Sequence, residues 1–353
     1  MAVPTSPDSA LRAVDRLPAG GGLEPGRRRS AKSGIGLKPK RESKQPRQTS
    51  SAASTVARRR KRAVEVVTAS AWSEIPWLMH GFSTRTGGKT TVYCPTQRAG
   101  ELNLGFTASD DAANVLANRQ RFFSAIAGEP LFPAVTLKQI HSSLVRRIDA
   151  GDACERAAQK ADGMMTDEPG VLLAIQTADC IPVLVADRKK RVVAGFHAGW
   201  RGTLKRIVES GVGRMRLEFG SRPKDLIAAI GPGIGPCCYA VGEEVRGEFE
   251  SQFRYAEELF HEVYDSDPVK EKYPLLFMTA RAPGHSNLGP GLHLDLVEAN
   301  RRQLLDAGLS PDTISVVGEC TNCRTDRYFS YRAEQGFTGR MFSVIGIKAK
   351  DSK

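Results

Sequence analysis

Residues 171–203 constrain the fold more than any other part of the chain. Two β-rich runs lie there on either side of a charged turn, Asp187-Arg188-Lys189-Lys190. The first begins just after Cys180 and the second ends at His197. Run, short turn and run predict an antiparallel hairpin whose outer ends meet. The Cys180 thiol and the His197 imidazole are therefore expected as neighbours. That pairing suits core packing, a metal site or a nucleophile–base pair.

The flanking sequence surrounds the hairpin with mixed elements. Val64–Val67, Leu226–Ile230 and Ile314–Val317 read as strands. Ala134–His141 reads as a strand ending in histidine, with Leu144–Ile148 as its partner. Tyr328–Arg332 and Thr338–Ile347 read as two further strands with a turn between them. Helices are expected from Asp110-Asp111 to Ile126, from Thr203 to Leu217, from Val241 to Phe253 and from Leu294 to Ala307. Apolar Leu204, Ile207, Val208, Val212 and Met215 recur at helical spacing in the second of these. Acidic Asp110 and Asp111 suit the positive end of the first. Strands and helices alternate irregularly and include hairpins. That predicts an α/β (α+β) fold, a largely antiparallel mixed sheet with helices outside it, and excludes a doubly wound parallel sheet. Gly231-Pro232-Gly233-Ile234-Gly235-Pro236 is not a dinucleotide fingerprint, because proline stands where the third glycine belongs.

The charge distribution bears on which partners to expect. Residues 1–62 hold 16 of the 51 basic and 4 of the 39 acidic side chains, which leaves 35 of each sign for residues 63–353. The net charge of +12 thus belongs to the first 62 residues. The body carries no overall basic charge to support nucleic-acid binding. Residues 1–62 lack aromatics and are rich in Ser, Pro, Gly and Arg, the composition of a disordered basic tail. A transit peptide or a nucleic-acid arm are the alternatives for that segment. Residues 63–353 are expected to form a single domain. No apolar run reaches the roughly 20 residues that span a membrane. Seven cysteines without a secretory signal suit reduced thiols in the cytoplasm. Cys320 and Cys323 form one CxxC with no second Cys or His pair at short spacing, which reads as structural.

Chemistry concentrates at His141, Cys180 and His197. Two imidazoles and a thiolate from separate strands suit a catalytic zinc ion with a fourth position left open. The same residues also permit a metal-free dyad, Cys180 as nucleophile and His197 as base, with Arg201 or helix N–H groups near Thr203 at an oxyanion. Asp179 follows the alternation to the opposite face from Cys180 and is not expected to support a ligand. Arg85, beside Gly87-Gly88, together with Lys138 and Arg201, is a candidate phosphate contact, with Arg332 and Arg340 as further cations. Trp200 and Tyr239 are aromatic rings suited to wall packing or to stacking on a base.

Several motifs occur in order: Lys138-Gln139-Ile140-His141-Ser142, Ala161-Asp162-Gly163, Thr177-Ala178-Asp179-Cys180, His197-Ala198-Gly199-Trp200-Arg201-Gly202, Tyr239-Ala240-Val241-Gly242 and Phe329-Ser330-Tyr331-Arg332. Over residues 64–350 the chain resembles the purine nucleoside phosphorylase family of the laccase-domain type, also called multicopper polyphenol oxidases or peptidoglycan editing factors. Gly233 departs from the pattern, since many members carry Cys there. The resemblance implies a layered sandwich related to a toxin-type cysteine hydrolase fold. It implies that residues 63–353 form one catalytic laccase-type domain with Zn²⁺ on His141, Cys180 and His197. It implies phosphorolysis of adenosine, inosine, guanosine and methylthioadenosine to base and ribose-1-phosphate, and deamination of adenosine. Arg85 and Lys138 would then balance the phosphate charge in a monomer or homodimer. A metal-free Cys180–His197 amidase acting on peptidoglycan precursors is the principal rival. A copper polyphenol oxidase is a weaker one, because the chain has only six His.

Overall fold

The computed structural model describes residues 63–94, 100–128, 133–149, 159–263 and 291–349. The segment 1–62, Cys154 and His285 lie outside these residues, as does most of the expected loop 270–291. All described residues belong to the unit Arg58–Lys353.

In chain order the strands are β1 (Val66–Val67), β2 (Leu78–Ser83), β3 (Thr86–Thr90), β4 (Ala134–Val135), β5 (Val145–Arg147), β6 (Gly163–Thr166), β7 (Leu172–Thr177), β8 (Ile181–Asp187), β9 (Val192–Ala198), β10 (Leu226–Ile230), β11 (Phe260–Val263), β12 (Gly291–Leu294), β13 (Ile314–Val316) and β14 (Met341–Ile347). The helices are α1 (Ala112–Ala127), α2 (Trp200–Leu204), α3 (Ile207–Phe219), α4 (Glu243–Gln252) and α5 (Leu296–Asp306). One sheet has the order β1-β2-β14-β7-β4, the other β13-β10-β8-β9-β6-β5, and β11 pairs with β12 alone. The parallel pairings, β4 with β7, β5 with β6 and β13 with β10, each involve an edge strand. The rest are antiparallel, the mixed arrangement expected from the sequence.

The β8–β9 hairpin forms as read, with Pro182 opposite His197 and Ile181 opposite Ala198. Both strands are buried along their whole length. The alternation of side chains explains why an uninterrupted apolar run is needed. Val183, Val185, Ala194 and Phe196 pack on Ile207, Val208 and Met215 of α3 and on Leu296 and Leu304 of α5. Leu184, Ala186 and Val193 face the other way, onto Leu173, Ile175 and Ile345 of the five-stranded sheet. The outer face of that sheet meets α1 through Ala174, Phe342, Val344 and Phe122. The layers therefore run helix, sheet, sheet, helix. His197 shares its face of β9 with Val193, so it points into the layer between the sheets, at its end.

Four elements differ from expectation. The strand before His141 ends at Val135, and His141 sits in a loop with a left-handed φ of 57°. Val145–Arg147 pairs with β6 in the other sheet and not with β4. The helix expected from Thr203 is two helices broken at Arg206, whose φ is 57°. Arg206 is held there by Glu209 Oε2 at 2.7 Å, by the Gln252 carbonyl at 2.6 Å and by the Phe253 ring beneath it. Residues 328–330 are irregular and lead into a turn at 331–336, so only β14 of the expected C-terminal pair is a strand.

Candidate metal centre

The hairpin sets Cys180 at the start of β8 and His197 near the end of β9. The loop after β4 brings the third group. Gln139 and Gln176 fix that loop to β7 reciprocally: Gln139 Nε2 donates to the Gln176 carbonyl and the Gln176 N–H donates to Gln139 Oε1. His141 Nε2 then lies 3.9 Å from Cys180 Sγ, and the two imidazole rings are 4.9 Å apart. One ligand atom from each of His141, Cys180 and His197 lies within 4.8 Å of the others.

This donor set fits zinc. Two nitrogens and one sulfur bound tetrahedrally at zinc distances lie about 3.4–3.6 Å apart. The contraction needed from the present spacing is a few tenths of an ångström at the His141–Cys180 pair. Three protein ligands leave a coordination position for water or substrate, the pattern of catalytic zinc sites.

Asp162 organises both histidines. Its Oδ1 lies 2.9 Å from His197 Nδ1, which fixes the ring with Nε2 directed at the site. The same buried carboxylate accepts from the backbone N–H groups of Ile140, His141 and Ser142 and from the Ser142 hydroxyl. Burial pushes the Asp162 carboxyl up, but the hydrogen bonds from His197 and Ser142 hold it down at about 2. Burial likewise raises the Cys180 thiol, and the charge of His197 and hydrogen bonds from both imidazoles bring it to about 6. His197 is lowered by burial and raised by Cys180 and Asp162 to about 9. The pair is thus poised as thiolate and imidazolium when only protein groups act on it. Asp162 stood in the sequence as part of a short motif with no role attached to it.

Asp179 lies in the bend between β7 and β8, so strand alternation does not govern it, and it lines the cleft beside Cys180 without bonding to a histidine. Its carboxylate accepts from the Thr321 hydroxyl at 2.6 Å and the Arg332 N–H at 2.7 Å. Its φ of 87° turns the chain into Cys180. Gly199 supplies room beside Cys180 and His141. A Cβ there would stand 2.8 Å from Cys180 Sγ and 3.0 Å from His141 Cδ2.

The three groups lie in a cleft of about 590 Å³. Its lining includes Arg201, Arg332 and Arg340 with Trp200, Tyr239 and Tyr331. Each guanidinium rests on one of these rings, Arg201 on Trp200 at 4.3 Å, Arg332 on Tyr239 at 5.3 Å and Arg340 on Tyr331 at 5.8 Å. The cleft thus offers cationic and aromatic walls beside a His–Cys–His floor that could hold a metal.

Two expected phosphate contacts are elsewhere. Arg85 is 5% exposed and does not line the cleft. Its donors go to Glu101, to Glu334 and to the carbonyls of Thr325 and Tyr328, and its plane lies 4.5 Å from the Phe329 ring centroid. The glycines beside it make room for backbone: a Cβ on Gly88 would stand 2.0 Å from the Glu101 carbonyl oxygen. Lys138 is exposed and also lies outside the cleft lining. Of the three, only Arg201 lines it.

A mixed α/β sandwich with an open His–Cys–His donor set between the ends of its two sheets defines the class of protein. Residues 79–348 match the family model described as multi-copper polyphenol oxidoreductase laccase, and the chain belongs to that family. It is 34% identical over 282 residues to a protein of Geobacillus stearothermophilus named purine nucleoside phosphorylase YlmD, covering 76% of this chain and 94% of that one. It is 36% identical over 274 residues to a purine nucleoside phosphorylase of Deinococcus radiodurans, covering 78% and 91%. The crystal structure of Bacillus licheniformis hypothetical protein YfiH superposes with a TM-score of 0.66 at 31% identity, covering 82% of this chain and 98% of that one. Among the described residues no helix is long and apolar enough to cross a membrane.

Proposed function

We propose that the chain is a zinc-dependent purine nucleoside phosphorylase. It would convert adenosine, inosine, guanosine or methylthioadenosine and phosphate into the base and ribose-1-phosphate, and deaminate adenosine in the same cleft. The observation that carries this reading is the His141–Cys180–His197 donor set facing three stacked guanidinium–aromatic pairs. The names of the relatives support the same reaction class.

When bound, zinc would be held by His141, Cys180 and His197 and would supply Lewis acidity and a low-pKa water. The protein's own groups do the rest. Arg201, with Arg332 and Arg340, gives phosphate a cationic wall in place of Arg85 and Lys138. Trp200 and Tyr239 offer faces to a purine. Asp162 keeps a proton on His197 Nδ1 and holds the loop of His141 in register. In phosphorolysis a phosphate oxygen bonds to ribose C1′ as the C1′–N9 bond breaks. The electron pair departs with the purine, which then takes up a proton. None of the described cysteines is in a disulfide, which suits the cytoplasm.

The thiolate–imidazolium polarisation of Cys180 and His197 favours one other reading, a metal-free cysteine amidase of the toxin-type hydrolase class. Copper oxidase chemistry finds less support. Among the described residues the other histidines are absent from the cleft lining: His80 Nε2 accepts from the Ala69 N–H, His293 Nδ1 donates to the Pro236 carbonyl and His261 is an exposed residue of β11.

The deciding experiment is metal analysis together with a phosphate-dependent assay on adenosine and inosine, for the wild type and Cys180→Ala. Zinc and release of adenine and hypoxanthine should be lost together in the variant. Full turnover by metal-free protein would overturn the zinc dependence, and absence of turnover in a fully metal-loaded wild type would leave the amidase as the better reading.

A further inference from the structure

A second group of metal-capable side chains lies outside the cleft. Cys237 and Cys238 follow β10, and Cys320 and Cys323 follow β13. Strands β10 and β13 are parallel neighbours, with Ile230 opposite Val316, so the loops leaving both emerge on the same side of the sheet. A bridge between Gly233 and Cys320 prolongs that pairing into the loops. Two cysteine pairs more than 80 residues apart in sequence therefore meet. The CxxC acquires from the fold the second pair that local spacing did not supply.

The geometry is that of ligands and not of disulfides. Cys323 Sγ is 3.4 Å from Cys237 Sγ and 3.3 Å from Cys238 Sγ, and all four sulfurs lie within 4.8 Å of one another. A disulfide needs about 2.05 Å. Four sulfurs bound tetrahedrally to zinc lie about 3.8 Å apart. The Gly235 N–H points at Cys320 Sγ from 3.2 Å, the kind of hydrogen bond that supports a thiolate ligand.

We propose that Cys237, Cys238, Cys320 and Cys323 form a second, structural zinc site of the four-thiolate type. With four protein ligands the site is closed, so its role is to hold the two loops together. Both loops reach the cleft. Tyr239, which lines it, follows Cys238 directly. Thr321, between the two cysteines of the CxxC, holds the Asp179 carboxylate beside Cys180. The thiolate site is thus a positioning element for the cleft wall, whatever reaction the cleft performs.

The test uses the full chain expressed with added Zn²⁺ and purified with reductant throughout. Elemental analysis and native mass spectrometry should find two zinc ions per chain in the wild type and one in Cys180→Ala. X-ray absorption on Cys180→Ala should show a sulfur-only shell at about 2.3 Å. The Cys320→Ser/Cys323→Ser protein should also hold one zinc, in a mixed nitrogen and sulfur shell, and should melt at lower temperature. A wild type whose bound zinc shows no sulfur-only shell overturns the proposal, even if the variants fail to fold, whereas a single ion in a sulfur-only shell upholds it and counts against zinc at His141, Cys180 and His197. A residual ion in Cys180→Ala with nitrogen in its shell overturns it equally.

Discussion

The Asp162 carboxylate lies 2.9 Å from His197 Nδ1 and, through the same oxygen, 2.9 Å from the backbone nitrogen of His141. One buried acid therefore sets the ring of one of the two candidate ligand histidines and the main chain of the other. The arrangement arises because Gly163 pairs with Phe196 across β6 and β9, which places residue 162 beside residue 197.

Asp162→Asn keeps the size of the side chain but puts an amide N–H₂ where acceptors are needed. Either the backbone donors at residues 140–142 or His197 Nδ1 then loses its partner. Zinc affinity is expected to fall about 10–100-fold, as for other groups that support a metal ligand. Competition with a chromophoric chelator measures this directly. Unchanged affinity would show that Asp162 serves the loop alone.

Gly199→Ala tests the crowding around the ligands. Its φ of −71° is open to any residue, so backbone strain plays no part. The added methyl instead meets Cys180 Sγ and His141 Cδ2. The folded variant should lose zinc and turnover together, with little change in its melting temperature in the metal-free form. A variant that binds zinc as tightly as wild type would mean that the loop of His141 yields readily.

His80 links stability to pH at a distance from the site. Burial pushes its imidazole down from 6.5 to about 4, and Nε2, which accepts the Ala69 N–H, would have to give up that bond to be protonated. The folded chain thus keeps the ring neutral where the unfolded chain protonates it. Between those values the unfolded state binds more protons, so stability is fully present above pH 6.5 and declines as pH falls toward 4. The loss amounts to at most about 3 kcal/mol. Urea midpoints at pH 7 and pH 5 should diverge more for wild type than for His80→Gln, which retains an acceptor for the Ala69 N–H. Equal divergence would sink the assignment.

The parts of the fold legible in the sequence are those whose burial is decided by near neighbours. The hairpin around residues 187–190 was legible because both of its faces are covered and its positions are apolar except for Asp187 and His197. His141 was legible through its motif, although the strand expected to carry it ends at Val135. Asp162 was not, because its contact with His197 crosses 35 residues and depends on which strand lies beside β9. That Arg85 lies buried outside the cleft was not legible for the same reason. A cation beside two glycines resembles an anion loop until Glu334, 249 residues away, is folded against it. The four-cysteine cluster likewise exists only once β10 and β13 are adjacent.

Arg85 and Arg201 should respond to substitution in opposite ways. Arg85→Met leaves Glu101 and Glu334 facing each other in a buried setting without their cation. Loss of one partner from such a cluster costs about 3–5 kcal/mol, so the denaturation midpoint should fall sharply. The KM for phosphate of the folded fraction should stay within about twofold, a change well below the roughly 1.4 kcal/mol of a tenfold effect. Arg201 is exposed in the cleft and stacked on Trp200, so Arg201→Met should leave the midpoint almost unchanged. Its KM for phosphate should rise about tenfold, which corresponds to about 1.4 kcal/mol of lost binding. Denaturation curves and phosphate titrations on the two variants check both halves. An Arg85→Met protein with normal stability and a large rise in KM would return Arg85 to the role its glycine neighbours suggest, and would mean that its contacts with Glu101 and Glu334 give way when phosphate binds.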